Sequence, residues 1–391
     1  MIDFTLSERD QAQLDRTRDA ALICRKYARY HDENEGDFPP DELPEAAEFY
    51  ANQSPLPEAS DNDTSPPVMM ALQSVGQFWG DYSVRLRRTG SGGLGNAALS
   101  AAGTPEQQAK WGNLTLSMAI TEPGCGSDPS RVSTTAELDG DEWVLNGEKI
   151  FVTTGIRAEG VVMWATIDKS AGRAGIKSFL VEKGTPGFDV PHKEKKLGIR
   201  ADDTAAYVFS DCRIPRENLL GLDETIPKKS SGGFRGVMKT FNMTRPMTAA
   251  MGLGLAKAAL DFTRDELVAA GVELNYGSAL GAQSAVAEKF MRLEGIYEAS
   301  ELTTLNCTWL AGQGRPNNME SSVCKAHAGS AVRAITQGCI ELLGPMSVSR
   351  DHLLEKWMRD CRITDIYEGT GEIQRLIIAR GLLDYTRADL K

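Results

Sequence analysis

Near residue 117 the chain stops reading as helix and starts reading as strand, and after about residue 225 it changes back. That double change of hydrophobic period constrains the fold more than any other feature. A continuous helical bundle has no place for a strand block, and a doubly wound sheet would alternate strand and helix throughout. The pattern calls for an α+β chain, mainly α. We expect a helical N-terminal domain (1–116), a central β domain built as a small barrel or sandwich (117–228) and a C-terminal helical bundle (229–391).

The punctuation within each block fits this division. Ser7 is a candidate N-cap with Asp10 three residues on, opening a helix over 6–30. The stretch NQSPLPEASDNDTSPP at 52–67 reads as exposed loop, and 68–114 as helix broken by TGSGGLG at 89–95. In the β block, Asn146-Gly147 divides two strand-like runs and predicts a two-residue hairpin turn between them. Further strands are expected at 161–167, 176–182 and 205–209. Apolar periodicity then predicts helices over 234–270, 280–313, 319–344 and 371–385, with breaks at Gly344-Pro345 and Gly369.

Charge and composition exclude several classes of function. Lys and Arg number 43 against 54 Asp and Glu, a net charge of −11, which argues against general nucleic-acid binding and against a polybasic membrane surface. Seven scattered cysteines without a Cys-x-x-Cys pair argue against a disulfide framework or zinc ribbon. The four histidines are not spaced as metal ligands, and no Gly-x-Ser-x-Gly elbow marks a serine nucleophile. The N-terminus lacks a signal-peptide pattern and no apolar run approaches a membrane span, so the expected compartment is a reducing, cytoplasmic one.

Three segments carry groups that could do chemistry. In Thr121-Glu122-Pro123-Gly124-Cys125-Gly126-Ser127-Asp128, glycines flank a small residue and hydroxyls stand at either end. Such a segment can bring backbone N–H groups close to an anion or a heterocycle edge, and it serves equally as a glycine turn joining helix to strand. In 366–376, Glu368 precedes Gly369 in a break between helices, and Thr370 can cap the next helix. A carboxylate there is either an exposed residue beside a cap or, if desolvated, a base with a raised pKa. In 241–246, Arg245 opens a helix that continues through Gly252, Gly254 and Ala256, and is either a packing residue or a ligand contact.

Together these segments resemble the acyl-CoA dehydrogenase family, most closely its medium- and short-chain flavoproteins. The likeness lies in AITEPGCGSD at 119–128, WVLNGEKIFVTTG at 143–155, TRPMTAAMGLGLAKAALD at 244–261 and RDCRITDIYEGTGEIQRLIIARGLL at 359–383. It runs from about residue 105 to the end, with four motifs in the right order and separation. It implies a helical domain, a β domain and a four-helix bundle, with FAD held between the last two. It also implies α,β-dehydrogenation of an acyl-CoA thioester, with Glu368 removing the α-proton while the β-hydrogen leaves as hydride to the flavin. By motif position Ile120, Thr121, Gly126, Ser127, Phe151, Val152, Thr153, Thr370 and Glu372 would line the cofactor. Ser127, Asn242, Arg245 and Gly369 would meet the CoA or acyl side. Phe151 stands where the family often has Trp, and Thr244 where some members carry the base, which favours Glu368.

Two positions depart from the family pattern. Homotetrameric members hold a neighbour's flavin through an Arg-x-x-Phe-Gly and a Gln-x-Leu-Gly-Gly motif. Here those regions read Val272-Glu273-Leu274-Asn275-Tyr276-Gly277 and Glu341-Leu342-Leu343-Gly344-Pro345. An acid replaces a phosphate-binding Arg, and a Pro removes an N–H donor. The chain is therefore expected either to pair with a second acyl-CoA dehydrogenase-like subunit in a heterotetramer or to hold FAD in an altered way as a homo-oligomer. Electron-transfer flavoprotein or oxygen would be the acceptor. The alternatives are a flavoenzyme of the same fold acting as oxidase, desulfinase or oxygenase, and a structural subunit of a heteromeric dehydrogenase.

Overall fold

In the computed structural model, Ser7 and Asp10 close a reciprocal capping box at the start of α1 (Glu8–Glu33), as their spacing predicts. The Asp10 carboxylate also accepts the Thr64 N–H at 2.8 Å, which ties the long 52–65 loop back to the helix it follows. The structure describes residues 5–86, 93–226, 233–385 and 389, with the backbone alone over 233–243. Most of the glycine-rich stretch at 89–95 lies outside the described residues.

The remaining helices follow in chain order: α2 (Ala46–Ala51), α3 (Pro66–Gly80), α4 (Leu94–Ala102), α5 (Pro105–Trp111), α6 (Gly233–Ala269), α7 (Ala285–Gly312), α8 (Asn318–Leu343), α9 (Leu354–Asp360) and α10 (Gly371–Leu382). α9, a seven-residue helix not expected from the sequence, is too short for its periodicity to stand out. Contacts divide the chain into two compact units. One comprises residues 1–87, 197–201 and 242–391; the other comprises 88–196 and 202–241.

The first unit is helical. Its core joins Leu253, Leu255 and Ala259 of α6, Phe290 and Leu293 of α7, Val332 and Ile335 of α8, and Trp357 of α9. Each such large side chain contributes roughly 1.5–3 kcal/mol on burial. The small residues on α6 let neighbours approach closely. A Cβ at Gly254 would meet the Val75 carbonyl oxygen at 2.6 Å, and one at Gly252 would meet Thr364 at 3.0 Å. A buried triad adds a polar lock, with Lys356 Nζ donating at 2.6 Å to both Asp81 and Asp360.

The second unit is a seven-stranded curled sheet with α4 and α5. Its strands are β1 (Leu116–Ala119), β2 (Thr135–Asp139), β3 (Glu142–Val152), β4 (Gly160–Thr166), β5 (Ile176–Glu182), β6 (Phe188–Asp189) and β7 (Ala205–Pro215). They run in the order β1-β4-β2-β3-β7-β6, with β5 added on β4. All seven residues of β4 are buried, as a central strand covered on both faces requires.

The expected hairpin at Asn146-Gly147 is corrected here. β3 runs unbroken through that pair and carries a register shift against β7 between Leu145 and Gly147. Gly147 is required for a close approach instead, since a Cβ there would lie 2.5 Å from Thr134 Oγ1. The real two-residue turn is Gly140-Asp141, joining β2 to β3, with Gly140 at φ +65°.

Candidate active site

Glu368 sits between a 3-10 turn (Cys361–Asp365) and α10, with its backbone at φ +55°. That left-handed conformation costs a residue with a Cβ roughly 1–2 kcal/mol, so surrounding contacts must enforce it. They do so through the neighbouring carbonyls. Gln374 Nε2 donates to Glu368 O at 3.3 Å and to Gly369 O at 3.2 Å, and Arg245 Nε donates to Glu368 O at 3.4 Å. Gly369, at φ +88°, leaves the space that the Gln374 amide occupies, because a Cβ there would lie 2.5 Å from Nε2. Thr370 then caps α10, accepting the Ile373 N–H at 3.3 Å.

This arrangement turns the Glu368 side chain toward α6, where Thr244 Oγ1 donates to its carboxylate. Burial pushes the Glu368 pKa above the usual carboxylate value. The Thr244 hydrogen bond and the charges of Arg245 and Lys325 pull it back without cancelling the rise. Arg245 is 4% exposed, and its own pKa is drawn down by burial. Beside Glu368, the Tyr367 hydroxyl pairs with that of Tyr82, a buried residue from the N-terminal stretch.

In the second unit, the 121–128 segment folds as a turn closed by reciprocal bonds: Glu122 N–H to Cys125 O at 2.8 Å and Cys125 N–H to Glu122 O at 3.0 Å. Its anchor is the Glu122 side chain, 3% exposed. The carboxylate accepts from the Ser133 N–H and hydroxyl at 2.7 and 2.6 Å, and from the Thr134 N–H and hydroxyl at 3.1 and 2.6 Å. It also accepts from Lys149 Nζ at 2.6 Å. Lys149 reaches from β3 and donates to Ile120 O at 3.3 Å as well, while Thr121 O accepts the Ile150 N–H at 2.9 Å. The turn is thus riveted to the strand that carries Phe151.

The structure therefore brings Ile120 and Thr121 beside the C-terminal end of β3, where Phe151, Val152 and Thr153 follow in the chain. Gly126 and Ser127 lie exposed on the outer arm of the turn. Phe151 is 60% exposed at φ +56°, and Thr154 follows at φ +59°. Val152 turns the other way, its side chain fully in the sheet core. The hydroxyls of Thr121, Ser127 and Thr153 have no hydrogen-bond partner among the described residues. An outward aromatic face with three uncommitted hydroxyls and open glycine backbone suits a planar heterocycle with a polar rim.

In the first unit Glu368, Gly369, Thr370 and Arg245 lie together, and Glu372 stands exposed in the first turn of α10. Asn242 falls outside the described side chains. Sequence reasoning passed over Glu122, Lys149, Lys325 and Gln374. All but Lys325 lay inside quoted motifs, and for Glu122 and Lys149 a charged residue of each sign was the available signal. Among the described residues no cluster of His, Cys, Asp and Glu is arranged to hold a metal ion. No helix among them is long and apolar enough to cross a membrane.

Comparison with known proteins agrees with this layout. Residues 117–212 match the family model for the acyl-CoA dehydrogenase middle domain, and residues 231–383 that for the C-terminal domain. The chain is 39% identical to the mitochondrial short-chain specific acyl-CoA dehydrogenase of Rattus norvegicus, over 72% of this chain and 67% of that one. It is 34% identical to the short-chain specific acyl-CoA dehydrogenase of Clostridium acetobutylicum, over 80% of each. Among solved structures, butyryl-CoA dehydrogenase from Megasphaera elsdenii superposes with a TM-score of 0.81 at 27% identity, covering 98% of this chain and all of that one. On these matches, and with the fold they share, the chain belongs to the acyl-CoA dehydrogenase family of oxidoreductases.

Proposed function

We propose that the chain dehydrogenates an acyl-CoA thioester between Cα and Cβ, with Glu368 as the base and FAD as the cofactor. The observation that carries this reading is the Glu368 carboxyl itself. It is half-buried, held in a strained backbone conformation, gripped by Thr244 and shifted toward higher pKa. A thioester α-proton is a very weak acid, so its removal needs a desolvated carboxylate and a donor to the carbonyl oxygen as enolate character grows. The Glu368 N–H has no acceptor among the described residues and is available for that oxygen. Strain at such a residue is a common mark of a functional site.

Phe151, with the hydroxyls of Thr121, Ser127 and Thr153 and the backbone of Ile120, Gly126 and Val152, would hold the flavin. FAD bound there would supply the hydride acceptor for the β-hydrogen, with electron-transfer flavoprotein or oxygen as the onward acceptor. Arg245 fixes the Glu368 main chain and so orients the base. The names of the matched relatives, short-chain specific and butyryl-CoA dehydrogenases, support a short acyl group. Flavin bleaching against a panel of acyl-CoAs of graded length tests this. Fastest bleaching with the shortest acyl groups is expected, and no bleaching with any of them would overturn it.

We further propose that the chain works beside a second, related subunit. Glu273 is exposed, where the family places a phosphate-binding Arg, and Gly344 at φ +58° leads into Pro345, which offers no N–H. This supports a heteromer with fewer flavins than chains.

A further inference from the structure

Lys325 stands 1% exposed on α8, and its Nζ finds no hydrogen-bond partner among the described residues. An ammonium in that state is costly, so a chain that keeps one invites the question of what its charge serves. Lys325 and Gly329 are four apart on α8 and share a face. A Cβ at Gly329 would lie 2.7 Å from Asp365 Oδ1, and a Cβ at Gly371 on α10 would run into the same oxygen. The Lys325 face of α8 therefore packs directly under the turn that carries Glu368. Asp365 does not neutralise the lysine by a direct bond. Its Oδ2 lies 3.3 Å from Arg333, and its Oδ1 is itself unpartnered.

We propose that Lys325 is a positioning residue for the base, its buried and unshared ammonium favouring the ionised form of Glu368. This rests on the reading of Glu368 as base. Asp365, Glu368 and Glu372 face Lys325 with negative charge and Arg245 with positive. Burial drives the Lys325 pKa from 10.5 down to about 8, and the three carboxylates keep it from falling further. The effect is reciprocal, because the Lys325 charge lowers the Glu368 pKa against the pull of burial. In a site of low dielectric a nearby opposite charge lowers a carboxyl pKa by about 1–3 units.

The test replaces the charge and keeps the length, with Lys325→Met in the full chain together with any partner subunit. The acid limb of the kcat/KM profile is expected to move up by about one pH unit, with Lys325→Arg restoring the wild-type profile. A second readout needs no turnover. A lysine whose folded pKa is depressed destabilises the fold below about pH 8, and that penalty fades as pH rises from 8 to 10.5. The Met variant should therefore melt higher than wild type at pH 7, with the difference shrinking across that window. A Met variant that melts lower at pH 7 would show a lysine engaged in structural bonding and overturn the proposal. So would an unshifted profile while Glu368→Gln abolishes bleaching. Full activity in Glu368→Gln would instead remove the base reading, and this proposal with it.

Discussion

Glu368 and Phe151 are two residues with side chains forced to positive φ, at +55° and +56°, and both fall where the sequence motifs pointed to chemistry. A glycine after an acid in a helix break was enough to single out Glu368. Nothing local could reveal its partner Thr244, because 124 positions separate them and only the packing of α6 brings the hydroxyl to the carboxylate. That bond makes a prediction. A hydrogen bond to a charged group contributes about 1.5–3 kcal/mol, and one pKa unit corresponds to about 1.4 kcal/mol. Thr244→Val should therefore raise the base pKa and move the acid limb of the activity profile up by about one pH unit or more. Loss of activity at acid pH with recovery at alkaline pH is expected in steady-state kinetics; equal loss at all pH values would contradict it.

At the scale of elements, the strand that carries Phe151 is fastened by Glu122 and Lys149. Breaking a buried ion pair by removing one partner costs about 3–5 kcal/mol. Lys149→Met should lower the melting temperature and release the 121–128 turn, read as weaker retention of added FAD. The pair also sets a pH dependence. Burial opposes the Glu122 charge, but Lys149 and the Ser133 and Thr134 hydroxyls outweigh it and bring its pKa from 4.5 down to about 2. A depressed carboxylate stabilises the fold above its unfolded value and loses that contribution as pH falls through its folded value. Between pH 4.5 and 2 the wild type should lose stability more steeply than Glu122→Gln in acid melts. Elements were legible where period and caps agreed, as in α1 and β5. The Asn146-Gly147 pair misled because an Asn-Gly dipeptide signals a turn only when both residues take positive φ. Here only Gly147 does, and the glycine serves close packing on Thr134.

Across the whole molecule, sequence likeness and fold likeness part company. The likeness read from the sequence begins near residue 105, yet the match to butyryl-CoA dehydrogenase covers 98% of the chain. Helical packing asks for apolar volume at the right period and little more, so a helical fold can be shared where motifs are not. The N-terminal fold was thus readable only as helix, whereas Glu368 and the 121–128 segment stood out as groups that could do chemistry. Glu273 carries the assembly prediction. Purified alone, the chain should hold well under one FAD per subunit, rising on co-expression with a cognate related subunit; one flavin per chain in the homo-oligomer would contradict this. The central claim is that Glu368 removes the α-proton. Rapid mixing of the FAD-loaded protein, wild type and Glu368→Gln, with a short acyl-CoA tests it most directly. Flavin bleaching should slow by about 10²–10⁴-fold in the variant with FAD content unchanged. Bleaching at the wild-type rate would contradict the account.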